Sequence, residues 1–193
     1  MDLTQGTFEE KRRRSKKHMM LFGMLSMTMT FAGLTSAYVV SKSRKDWLEG
    51  FEFPNAFLWS TIVIVLSSIT FWMAKKAIDR NNHSMVTLLL ISTLVLGIAF
   101  VYLQFFGFGK IIEQGFFPTG SEATVTTSFI YAIVFVHIAH VMGGLIALLV
   151  IIYNHFKQKY SPGQALGLEL GAMYWHFVDF LWVYLFLFLY FFR

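Results

Sequence analysis

Two short clusters hold the ionisable groups that lie well inside the long apolar runs of this 193-residue chain. The first is His137-Ile-Ala-His140, continued by Val141-Met142-Gly143-Gly144. The second is Trp175, His176 and Asp179, near the start of the apolar stretch from Gly171 to Arg193. In each cluster two ionisable residues stand three apart, which on a helix puts them on one face. His-x-x-His suits metal or haem ligation, since imidazole binds both. The same rings can instead hydrogen-bond across helices or reach lipid headgroups, and spacing leaves both readings open. A metal site would need further Glu, Asp or His at comparable depth, and only His176 and Asp179 qualify. That pair can act as a proton relay, or it can be a mutually satisfied group that fixes packing. Gly143 and Gly144 remove side-chain bulk and let a neighbouring helix approach.

The elements that carry these groups are membrane spans. The chain is 56% hydrophobic and only 14% charged, with mean hydropathy +0.58. A soluble domain would carry about 25% charge. An all-α, integral membrane bundle in a single domain, residues 1–193, is therefore expected. Five apolar segments, each of about 20 residues or more as a spanning helix requires, run roughly over 19–40, 54–76, 84–106, 123–153 and 168–192. Pro54 fits a first helical turn, and Ser121 and Glu122 mark a helix start. Glu113 and Glu122 fall in a solvated loop. The first apolar run is too long for a cleaved signal and lacks a small-residue cleavage site, so it reads as a retained span.

Residues 1–17 form a polar tail whose basic block (Lys11, Arg12, Arg13, Arg14, Lys16, Lys17) fixes orientation and touches anionic lipid. With this tail inside, eleven Lys and Arg lie on the inner side and five on the outer, which predicts a cytoplasmic N-terminus and an outside C-terminus. The net charge of +5 is explained by that topology rather than by nucleic acid. The chain has no cysteine, which excludes disulfides, thiolate metal sites and cysteine nucleophiles.

Other polar groups in the spans favour packing. Ser67, Ser68 and Thr70 in the second, and Ser26, Thr28 and Thr30 in the first, can bond neighbouring helices. Gln104 is the main polar group late in the third. His18, His83 and His155 sit at helix ends, at the interface. No phosphate loop, nucleophile motif or paired-carboxylate arrangement is present, and by itself the chain does not look like a catalyst.

These residues resemble a family. His137-x-x-His140-Val141-x-Gly143-Gly144 looks like the fourth-helix motif of subunit III of haem–copper oxidases. Tyr174-Trp175-His176-Phe177-Val178-Asp179-x-x-Trp182 looks like that family's last-helix motif. Ser67-Ser68-x-Thr70 and Gln104 are similar to its second- and third-helix polar positions. Five helices correspond to the short bacterial form, which lacks two N-terminal helices of the longer one.

The resemblance implies a subunit without redox centres, bound in the bacterial plasma membrane to the catalytic subunit I and other oxidase subunits. Haems and copper would lie in those partners. It also implies a structural phospholipid and support for assembly, proton uptake and oxygen access. His137, His140, Trp175, His176 and Asp179 would form the shared polar core. Two positions depart from the family. Met27 and Gly107 stand where it usually carries acids, and neither can hold a proton. Two other readings compete: a small haem-b cytochrome with axial histidines from helices four and five, and a small transporter. The transporter suffers from few polar groups in the first three spans and from having no inverted repeat.

Overall fold

The computed structural model describes residues 7–45, 47–48, 53–120, 123–161 and 164–192. Five α-helices follow in order: α1 Phe8–Val40, α2 Asn55–Asp79, α3 His83–Glu113, α4 Val125–Phe156 and α5 Leu166–Phe191. All five are long and apolar enough to cross a membrane. Long helices are what such a sequence must form, because lipid offers no partner to a backbone N–H or C=O and only helices satisfy these groups within one segment.

Local chemistry sets the ends. Thr7 and Glu10 form a reciprocal capping box at the start of α1, with Thr7 N donating to Glu10 Oε2 at 3.0 Å and Glu10 N to Thr7 Oγ1 at 3.4 Å. This cap starts α1 at Phe8 rather than near residue 19, so the basic block is helical and continuous with the span. At about 1.5 Å per residue, the 33 residues of α1 reach about 50 Å, well beyond a hydrocarbon core of about 30 Å. Pro54 is the residue before α2 rather than part of its first turn. Thr124 caps α4 by accepting from Thr127 N at 3.2 Å, whereas Ser121 and Glu122 lie outside the described residues. Helix α3 continues to Glu113, which pairs with Lys110 at 2.7 Å.

Helix α2 packs on α3, α3 on α4, α4 on α5, and α5 back on α2, closing a ring. Helix α1 stands outside that ring, against α4 and α5. Within the most apolar window of each span, half of α5 is buried but only 17% of α1. The core is aromatic and branched-aliphatic, with Phe31, Phe57, Phe71, Phe100 and Trp182 all fully or almost fully buried.

Candidate functional site

Helix α2 supplies a seam of hydroxyls that meets the two buried indoles of α5. Ser60 and Ser67 are seven apart, as are Thr61 and Ser68, so each pair recurs every two turns on the face that α5 and α3 cover. Helix α5 answers with Trp175 and Trp182, also seven apart. Trp175 Nε1 donates to Ser67 Oγ at 3.0 Å, and Trp182 Nε1 donates to Thr61 Oγ1 at 3.0 Å. Both hydroxyls pass their own protons to backbone carbonyls of α2, Ser67 to Ile64 O and Thr61 to Phe57 O, each at 2.8 Å. An indole N–H buried in apolar surroundings needs such a partner. The seam extends to α3, where Gln104 Nε2 donates to Ser60 Oγ at 2.7 Å and Thr70 and Thr93 share a 2.8 Å contact.

His176 and Asp179 do not bond each other directly. Ser68 Oγ lies 2.6 Å from His176 Nδ1. Asp179 is 4% exposed, and its Oδ2 has no hydrogen-bond partner among the described residues. His176 is half-buried and packs against Phe71.

The two histidines of α4 both pack on Phe31 but differ in burial and partners. His137 is fully buried, ringed by Phe31, Phe100 and Trp182 at centroid distances of 6.1, 6.0 and 5.1 Å. His140 is half-buried, and its Nδ1 donates to Val136 O of its own helix at 2.7 Å. Tyr174 of α5 donates to the His140 carbonyl at 3.0 Å, so this histidine position ties α4 to α5 through backbone. Among the described residues no three His, Cys, Asp or Glu side chains come together in a way that could hold a metal ion.

Glycines shape the slot for Trp175. A Cβ built on Gly97 would lie 2.8 Å from the indole Cη2, and one on Gly144 would lie 3.2 Å from its Cε3. Gly143 is different: the nearest atom to its Cβ position is the Tyr174 hydroxyl at 3.6 Å, an ordinary contact. Sequence reasoning passed over Gly97, Ser60, Thr61 and Thr93. The seven-residue spacing of the hydroxyls was the signal that could have found Ser60 and Thr61. Gly107 is filled from outside by the Phe57 ring, 2.8 Å from a would-be Cβ, so an acid at that point would displace the aromatic core. Met27 is half-buried on α1.

A second polar contact ties α1 to the bundle. Glu169, in the first turn of α5, accepts from Arg13 at 3.1 Å and pairs with Lys17 at 2.7 Å. The basic block thus docks part of its charge on α5. At the ends of α3 and α4, His83 and His155 stack at 5.8 Å, and His155 Nε2 also meets Thr87 Oγ1 at 2.9 Å.

The family model for cytochrome c oxidase subunit III matches residues 5–193. The chain is 32% identical over 173 residues to cytochrome c oxidase subunit 3 of Corynebacterium diphtheriae, covering 84% of this chain and 81% of that relative. It is 30% identical over 172 residues to the probable cytochrome c oxidase subunit 3 of Mycobacterium leprae, covering 87% and 83%. Against cytochrome c oxidase subunit 3 of Drosophila melanogaster it is 34% identical over 140 residues, covering 72% of this chain and half of the longer insect protein.

Proposed function

The chain belongs to the cytochrome c oxidase subunit III family, and from that premise we propose that it is the non-catalytic third subunit of a proton-pumping haem–copper oxidase. It works in complex with other oxidase subunits, pairing directly with subunit I in a bacterial plasma membrane. Haems and copper reside in those partners, and a structural phospholipid accompanies this chain. Its N-terminus faces the cytoplasm, with the basic helical extension at the inner leaflet. His137, His140, Gly143, Gly144, Trp175, His176, Asp179, Trp182, Ser67, Ser68 and Gln104 serve as its interior polar core.

One observation carries the supporting role: the hydroxyls along α2 join that helix to its neighbours. The α2 seam holds α5 by two indole bonds, and α3 by Gln104. A rigid five-helix body of this kind can hold a catalytic neighbour in shape and shield its proton and oxygen routes. The haem-b cytochrome is not favoured. His137 is sealed by aromatic rings, His140 Nδ1 is held by its own helix, and His176 Nδ1 is engaged by Ser68.

The test is affinity purification of this chain in mild detergent, with reduced-minus-oxidised spectra before and after its partners are stripped. Haem signals that arrive and leave with a large partner are expected. Haem that stays with the stripped chain would overturn the proposal.

A further inference from the structure

We propose that the hollow where α2 turns into α3 holds the headgroup of one anionic phospholipid. This gives the phospholipid proposed above a place and a charge, and it rests on that reading only for the complex in which the test is made.

The turn builds the rim of the hollow. Asn81 takes a left-handed backbone conformation, with φ 56°, and Asn82 N donates back to Ala77 O at 3.2 Å. Asn82 Oδ1 then caps α3 by accepting from Met85 N at 3.2 Å. The chain reverses over these few residues and sets Lys76, Arg80 and Asn82 around a cavity of about 300 Å³. Trp72, Met85 and Leu89 line the same cavity. Trp72, Lys76 and Arg80 recur every four residues, so they climb one face of α2 by about 6 Å per step. Arg80 and Asn82 lie in the turn, past the last residue of α2, whereas Trp72 and Leu89 lie inside the two spans. The hollow is therefore cationic at the membrane surface and apolar below it, which is the polarity order of a phospholipid.

Charge selects the headgroup. Among the described residues neither Lys76 nor Arg80 pairs with a carboxylate, whereas Arg13 and Lys17 share Glu169 and Lys110 holds Glu113. Asp79 precedes Arg80 in the chain but does not line the cavity. The Lys76 ammonium lies over the Trp72 indole, 5.2 Å from the ring centre, which fixes it at the depth where interfacial tryptophans gather. Two cations without partners at a membrane surface attract an anionic headgroup. A zwitterionic headgroup brings its own ammonium and loses much of that attraction. A free phosphate would leave the exposed Trp72 and Met85 side chains uncovered, whereas acyl chains cover them.

The test is native mass spectrometry of the complex purified through this chain in mild detergent, with bound phospholipids identified by mass. The parent should keep an anionic phospholipid through washes that remove bulk lipid. Lys76→Gln/Arg80→Gln should lose one anionic phospholipid per chain, its affinity falling about thirtyfold. Exchanging the two cations, as Lys76→Arg/Arg80→Lys, should preserve it. So should Lys157→Gln/Lys159→Gln, which takes the same net charge from just past α4. Delipidated parent complex titrated with phosphatidylglycerol and with phosphatidylcholine should prefer the first, which decides the matter even where a variant fails to assemble. Equal affinity for the two lipids would overturn the proposal. So would unchanged retention in Lys76→Gln/Arg80→Gln, an equal loss in Lys157→Gln/Lys159→Gln, or displacement of phosphatidylglycerol by an equal concentration of inorganic phosphate. Haem absorbance in the same samples separates the two readings. Lipid binding that depends on Lys76 and Arg80 in a preparation without haem partners would sustain this site and sink the subunit assignment. Haem partners with lipid binding indifferent to both cations would do the reverse.

Discussion

Helices α5 and α1 are both apolar runs of spanning length, yet the bundle treats them oppositely. Helix α5 touches α1, α2 and α4, half of its apolar window is buried, and its two interior indoles are pinned to α2. Helix α1 touches α4 and α5 but not α2 or α3, with 17% of its window buried, and its Thr28 and Thr30 hydroxyls bond back to its own carbonyls. The difference teaches that a polar group inside a membrane builds tertiary structure only where a second helix presents a complementary group at the same depth. Where none does, as at Thr28 and Thr30, the hydroxyl bonds its own backbone alone.

The largest expected effect falls on α5. Trp175→Ala empties the slot beneath Gly97 and Gly144 and strands the Ser67 hydroxyl's role as acceptor. It should destabilise the bundle by about 3–5 kcal/mol, read as a lower unfolding midpoint in mixed detergent. It should also weaken assembly or sustained turnover rather than stop oxygen reduction at once. An unchanged midpoint would break the claim that α5 is the hub.

One type of substitution tests the contrast within a single pair. Gly97→Ala drives a methyl into the Trp175 ring and should cost about 1–3 kcal/mol. Gly33→Ala, on α1, meets nothing within 4 Å and should be neutral or stabilising by up to about 1 kcal/mol. Equal responses at the two sites would erase the distinction between hub and periphery. The smallest effect is expected at the tie between the two helices. Glu169→Gln removes the partner of Arg13 and Lys17, both partly exposed, and should lower stability by less than about 1 kcal/mol. The loss should shrink further at high salt. A larger, salt-insensitive loss would make the α1 dock a structural element in its own right.

The five spans were legible because length and hydropathy alone decide which segments can satisfy their backbone in lipid. The clusters around His137 and Trp175 were legible because an ionisable residue stands out against an apolar background. The start of α1 was not, since a run of basic residues reads equally as tail or helix until the Thr7–Glu10 cap is seen. His137 and His140 share a helical face and the Phe31 ring, yet His137 is closed in by two further aromatics while His140 bonds its own backbone. The short-range pattern fixes only the angle around the helix, not what stands opposite.

The sequence by itself determined the all-helical membrane class, the number of spans and which residues carry interior polarity, because these depend on composition and period along one chain. Only the tertiary structure decided that Ser68 meets His176, that Gly97 rather than Gly143 admits the indole, and that α1 stands outside the ring. Each of these depends on which helix faces which and at what depth. That choice is made by packing between segments far apart in sequence, where no periodicity reaches.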